Sequence, residues 1–155
     1  MHTIVVFTSR PQHEAVFGAW LADAVRRGEK VLVLRAPGED VSVLDRSLAA
    51  VDLDPSGVVG SGQVEVLDIT RWRAQFGGEV KRLYELYLGQ VWRAGRDGFP
   101  GVALTGDERA LRALARDDVE LIAHERDIDG PYPRIVDTGV VDYAASRSVA
   151  ACCRS

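Results

Sequence analysis

The sequence predicts an α/β fold, a three-layer α/β/α sandwich around a mostly parallel central sheet. Five short β-rich runs recur along the 155 residues: Thr3–Phe7, Lys30–Leu34, Val64–Asp68, Gly101–Thr105 and a last one near Ile135–Tyr143. Each is separated from the next by a stretch long enough for a helix, the alternation of repeated βα units. The runs are also nearly continuous in Val, Ile and Leu, as strands covered on both faces must be. A chain of this length holds about one domain and buries roughly two-thirds of its unfolded surface. Residues 1–155 are therefore read as one domain, with 144–155 as a tail that frays.

The first helix has the clearest ends. Ser9 and Gln12 stand at capping-box spacing, Pro11 falls in the first turn where its missing N–H costs nothing, and Gly28 after Arg26-Arg27 is a stop signal. Its apolar face is Phe17, Trp20, Leu21, Ala24 and Val25. A second helix sets Val41, Leu44, Leu48 and Val51 at helical spacing and dissolves into Asp52–Gly57, a loop on proline and glycine grounds. Gly57, Gly60 and Gly62 read as a turn before the third strand. The longest helical segment runs from Arg71 to Ala94, with Val80, Tyr84, Tyr87, Val91 and Ala94 on one stripe, and Gly77-Gly78 splits off its first turn or two. Two short helices, Glu108–Ala115 and Asp118–Arg126, follow the fourth strand.

Composition excludes several classes. A net charge of −4, with arginines interleaved among acids, lacks the concentrated basic patch that phosphate neutralisation needs, so nucleic acid is not a direct partner. No apolar stretch approaches the roughly 20 residues that cross a bilayer, and the first strand begins where a signal sequence would stand. The expected location is the cytoplasm. Cys152 and Cys153 are adjacent and nearly terminal; they cannot staple a fold and suit a reducing compartment, or alternatively form a thiol redox sensor.

In an open parallel sheet, ligands bind beyond the carboxyl ends of the strands, where loops gather and helix N-termini point their N–H groups. Those tips supply Thr8, Ser9 and Arg10; Arg35; Asp68, Thr70 and Trp72; Thr105, Gly106, Asp107 and Glu108; and Asp142 with Tyr143. Neither glycine-rich phosphate motif is present, and the turn after the first strand contains no glycine, so side chains block the close backbone approach a pyrophosphate requires. No nucleophile elbow follows any strand, and His2, His13 and His124 lack the paired spacing of a metal site. Neither a metal nor a cofactor is expected, and no catalytic constellation is visible.

The order and spacing of His2–Phe7, Gly28-Glu29, Asp97-Gly98-Phe99-Pro100, Gly106-Asp107-Glu108 and Glu125 resemble the MEDS sensory domain family. A histidine heads the first strand in His2-Thr3-Ile4-Val5-Val6-Phe7, and the helix ending in Gly28-Glu29 leads into strand two. Asp97-Gly98-Phe99-Pro100, the strand after it and Gly106-Asp107-Glu108 match a Gly-Phe segment, a strand and a Gly-Glu turn, and Glu125 falls where the family keeps a glutamate. An aspartate follows Gly106 where glutamate is usual, and the Cys-x-Tyr-Asp of the last strand stands here as Val140-Val141-Asp142-Tyr143. The resemblance implies a RecA- and KaiC-like fold without the Walker A loop. It also implies a non-enzymatic input module of bacterial signalling or transcription systems, binding a small hydrocarbon derivative and acting on a protein partner such as a kinase or anti-sigma factor. On that reading Arg35, Asp68, Trp72, Thr105, Asp107 and Glu108 line the ligand site and Glu125 supports it from behind. The domain belongs either to a longer regulator or to a free-standing sensor that docks through the long helix bearing Tyr84, Tyr87 and Trp92; a homodimer is left open. The alternative from another class is a degenerate RecA-like nucleotide binder or hydrolase using Asp107 and Glu108.

Overall fold

A computed structural model describes residues 2–7, 9–36, 38, 40, 42–76, 82–106, 108–115, 117–120, 122–123 and 136–142. Strand β1 (His2–Phe7) leads into α1 (Arg10–Arg26), then β2 (Lys30–Arg35), α2 (Ser42–Ala49), α3 (Pro55–Gly60) and β3 (Val64–Asp68). There follow α4 (Ile69–Phe76), α5 (Arg82–Arg96), β4 (Val102–Gly106), α6 (Glu108–Leu114) and β5 (Val136–Asp142). All pairings are parallel, and the strand order is β1-β5-β4-β2-β3.

The sheet divides two apolar clusters, because successive residues of a strand point to opposite faces. Val31 of β2, Val64 of β3 and Ala103 of β4 pack with Phe17, Leu21 and Ala24 of α1 and Leu48 of α2. Leu32, Leu34, Leu67, Val102 and Leu104 pack on the other side with Ile69 of α4, Ala94 of α5 and Ala110 of α6. Helices thus cover both faces, which explains why these strands read as unbroken apolar runs.

Local chemistry sets the helix ends. The Ser9 hydroxyl caps α1 by accepting from the Gln12 N–H at 3.4 Å, and Pro11 occupies the first turn. Beyond the C-cap Arg27, Gly28 adopts a φ of +75°, the left-handed backbone that a side chain resists. Gly18 has a different use: a Cβ built there would lie 2.8 Å from the Ser47 carbonyl oxygen, so its missing side chain is what lets α2 lie against α1.

One sequence expectation is corrected here. The segment expected as loop and turn contains α3, and the signal for it is Asp54-Pro55: the Asp54 carboxylate accepts from the N–H groups of Ser56 and Gly57, and Pro55 opens the helix. Gly57 and Gly60 therefore lie in a helix, and Gly62 turns the chain into β3. The long segment comprises two helices, in keeping with the split expected from Gly77-Gly78, with the first starting at Ile69 and the second running to Arg96. Among the described side chains of α5, Gln90 and Ala94 are buried, whereas Val91, on one stripe with Ala94 by its spacing, is 39% exposed. Val80, Cys152 and Cys153 lie outside the described residues, as do the side chains of Tyr84 and Tyr87.

At the amino ends of the strands a buried ammonium closes the sheet. Lys30 Nζ donates to the Gly62 carbonyl at 2.7 Å, pairs with Glu65 at 2.9 Å and lies 5.7 Å from the centre of the Phe99 ring. Satisfied on three sides, this end is structural; the opposite end is where the sheet opens.

Candidate functional site

A pocket of about 310 Å³ lies on the α1/α2 face, at the carboxyl ends of β2 and β4. Its floor follows from register. Val33 pairs with Val66 on one side and Thr105 on the other, so three side chains of one pleat row lie across three adjacent strands. Phe17 of α1, Val43 and Leu44 of α2 and Val59 of α3 form the apolar walls. His13 stacks on Phe17 at 5.8 Å between ring centres and brings an imidazole to the rim. At the β4 tip, a Cβ on Gly106 would approach the Leu34 Cβ to 3.0 Å, so a small residue keeps the two strand ends together.

Polar groups enter at the strand tips and the rim. Thr105 is buried, and Arg35 is half-buried at the end of β2. The Arg35 Nε–H is buried without an acceptor, a state that costs a neutral donor about 1–3 kcal/mol and a charged one more. Asp40 and Asp45 complete the polar lining.

The mouth is latched by an ion network. Arg10 binds Glu14 and Asp40, each at 3.0 Å, while Arg46 binds Glu14 at 2.9 Å and Asp40 at 3.4 Å. Asp40 also accepts from the Ser42 hydroxyl at 2.6 Å and the Ser42 N–H at 3.0 Å, which fixes the start of α2. These bonds tie the first turn of α1 to the β2–α2 connection across the rim. The Ser42 hydroxyl, the Ser42 N–H and then the two guanidinium groups pull the Asp40 carboxyl from 3.8 to about 2. Arg46 and then Arg10 lower Glu14.

A carboxyl depressed in the folded state stabilises the fold above its unfolded value and ceases to do so as pH falls through its folded one. The latch is therefore intact above about pH 4 and opens towards pH 2. Carboxyl-carbon NMR should find Asp40 titrating near pH 2; a midpoint near 3.8 would show the latch open in solution.

Of the residues singled out from sequence, the structure brings Arg35 and Thr105 to one pocket. Asp68 pairs in register with Arg35 but lies outside the pocket wall. Its carboxylate turns back to accept from the Thr70 hydroxyl at 2.5 Å and the Thr70 N–H at 2.9 Å, with the hydroxyl the main cause of its lowered pKa. That bond starts α4, so the role seen for Asp68 is a cap. Trp72 lies in α4 and Glu108 opens α6, but their side chains fall outside the described set; Asp107 and Glu125 lie outside the described residues altogether. Sequence reasoning missed His13, Asp40, Asp45 and the apolar walls from α2 and α3. The available signal was the amphipathic start of α2, whose Val43 and Leu44 face the sheet without being fully buried.

Compared with known protein families, residues 1–150 match the profile described as MEDS, the MEthanogen/methylotroph, DcmR Sensory domain. The chain belongs to the MEDS family. Neither curated proteins nor solved structures give a match to it. The family carries a sensory role, and in this MEDS domain the pocket under α1 and α2 lies at the strand ends where α/β sheets hold ligands. No described helix is long and apolar enough to cross a membrane.

Proposed function

We propose that this MEDS domain is a non-enzymatic cytoplasmic sensor that binds a small, largely apolar organic molecule carrying one acceptor group, and signals to a regulatory protein partner. The observation that carries the reading is the pocket itself: a largely apolar cavity of about 310 Å³ with Arg35 and Thr105 in its lining. Its size suits a small metabolite better than a nucleotide. The residues between β1 and the body of α1 agree: a serine cap and a proline stand where a phosphate cradle would carry glycine, which fits a RecA/KaiC-like frame without its Walker A loop. Trp72, Asp107 and Glu108 belong to the proposal as contributors from the ends of β3 and β4, with Glu125 behind them.

Signalling follows from where the pocket sits. Its walls are α1, α2 and α3 and its floor is the rigid sheet, so occupancy bears on helices held at the rim by the Arg10–Glu14–Asp40–Arg46 latch. A ligand with higher affinity for one arrangement of α2 shifts the population towards it, and a regulatory kinase or anti-sigma partner reads the change.

The test is thermal denaturation of the chain against a panel of short carboxylates, alcohols and haloalkanes, with magnesium ATP as a separate arm. At a hundredfold excess over Kd a true ligand adds about 2.7 kcal/mol. For a domain of this size that raises Tm by roughly 5–10 °C. Arg35→Ala is expected to remove most of that shift for ligands bearing an acceptor. No response across the panel, or a response to ATP alone, would sink the reading.

A further inference from the structure

The exposed side of α5 carries a pattern that nothing among the described residues uses. Helical residues step about 100° each, so Glu85, Gly89, Trp92 and Arg96 fall on one stripe, opposite the buried Gln90 and Ala94. All four are exposed, Trp92 by 80%, an unusual position for an indole. Leu88 and Val91, each 39% exposed, flank the stripe together with Gly95. Glycine weakens a helix interior, yet a Cβ at Gly89 or Gly95 would meet nothing within 4 Å. The described residues give no packing reason for either gap.

We infer that α5 is the seam of a symmetric dimer, in which two copies of this chain pair their α5 helices antiparallel. The four stripe positions repeat with the four-three-four spacing of a helix-pairing seam. In the antiparallel register centred between Gln90 and Val91, Trp92 of each copy falls opposite Gly89 of the other. The indole is the knob and the glycine leaves the hole. The same register places Glu85 opposite Arg96, and the two-fold axis makes each contact occur twice. One offset therefore satisfies the exposed ring, the unexplained glycine and both charges. Among the described residues Arg96 has only a 3.6 Å approach to its exposed neighbour Asp97, which leaves it able to turn to a partner. A single pair of 15-residue helices is a small interface, so the association is expected to be reversible and in the micromolar range. This inference stands apart from the ligand reading: an empty pocket would not affect it.

Charge exchange tests it. Sedimentation equilibrium of the full chain should show a concentration-dependent dimer. Glu85→Arg and Arg96→Glu should each be monomeric over the same range, since each homodimer would set like charges opposite one another twice. An equimolar mixture of the two variants should regain the dimer, because every pair then joins opposite signs. Trp92→Ala should weaken association at least tenfold. Glu85 and Arg96 also suit the two ends of the helix dipole, but loss of that intrachain effect would not be repaired by mixing. Circular dichroism checks that each variant is folded. A wild-type chain that stays monomeric, leaving Trp92 to a different partner, overturns the inference. A dimer indifferent to the single changes, or a mixture that stays monomeric, does the same.

Discussion

Replacing Gly18 by valine is expected to destabilise the domain by about 3 kcal/mol, at the upper end of what overpacking a well-fitted contact costs. For a domain of this size that corresponds to a fall in Tm of roughly 6–12 °C. The atom in the way is the Ser47 carbonyl oxygen, 2.8 Å from where the Cβ must stand, and backbone of a neighbouring helix cannot rotate aside as a side chain can. The strain falls on the α1–α2 contact, where Ser47 and Leu48 are both buried. Those two helices are also walls of the pocket, so ligand-induced stabilisation should weaken together with Tm. Gly60→Ala is the control: a Cβ there meets nothing within 4 Å, and stability should stay level or rise by up to about 1 kcal/mol. Differential scanning calorimetry of the two variants decides the matter. An unchanged Tm for Gly18→Val would mean that α1 and α2 are not packed as described.

The second large effect is on binding. Val33→Trp raises an indole from the middle of the pocket floor, between Val66 and Thr105, into space bounded by α1 and α2. Because Val33 is only half-buried and faces a cavity, the added ring has room, and the fold should lose less than about 1.5 kcal/mol. A compound that raises the wild-type Tm by roughly 5–10 °C at a hundredfold excess over Kd should leave the variant unmoved. Titration calorimetry with that compound gives the direct reading. Full retention of affinity would place the ligand elsewhere on the chain.

These effects differ in how far the sequence announces them. The ends of α1 are written locally, in Ser9, Pro11, Gln12 and Gly28, because capping depends on residues within one turn. The strands announce themselves too, since burial on both faces leaves little choice but Val, Leu and Ile. Arg35 and Thr105 could be nominated because strand tips collect ligands in any open parallel sheet. Asp68 shows the limit of that reasoning, since a carboxylate at a strand tip can just as well start the next helix, as it does through Thr70. The latch was illegible for another reason: Arg10 and Asp40 are thirty residues apart, and nothing in either neighbourhood says that they meet. In α3 the local signal was present, and the three glycines that follow it outweighed the Asp54-Pro55 cap. On α5 the exposure of Trp92 and the burial of Gln90 beside an exposed Val91 reflect packing that spacing alone does not resolve.

Strand order also governs how such a chain leaves the ribosome. Of the five described strands β1 is made first, yet its lateral neighbour, β5, is made last of the five. At about 5–20 residues per second, the wait between Phe7 and Val136 is on the order of ten seconds. Once Gly106 has been made, the nascent chain can assemble the three contiguous strands β4, β2 and β3, whereas β1 still lacks its neighbour among the described strands. Completion of this sheet therefore waits for β5. A stop codon ahead of Val136 would take away two strands for the deletion of one.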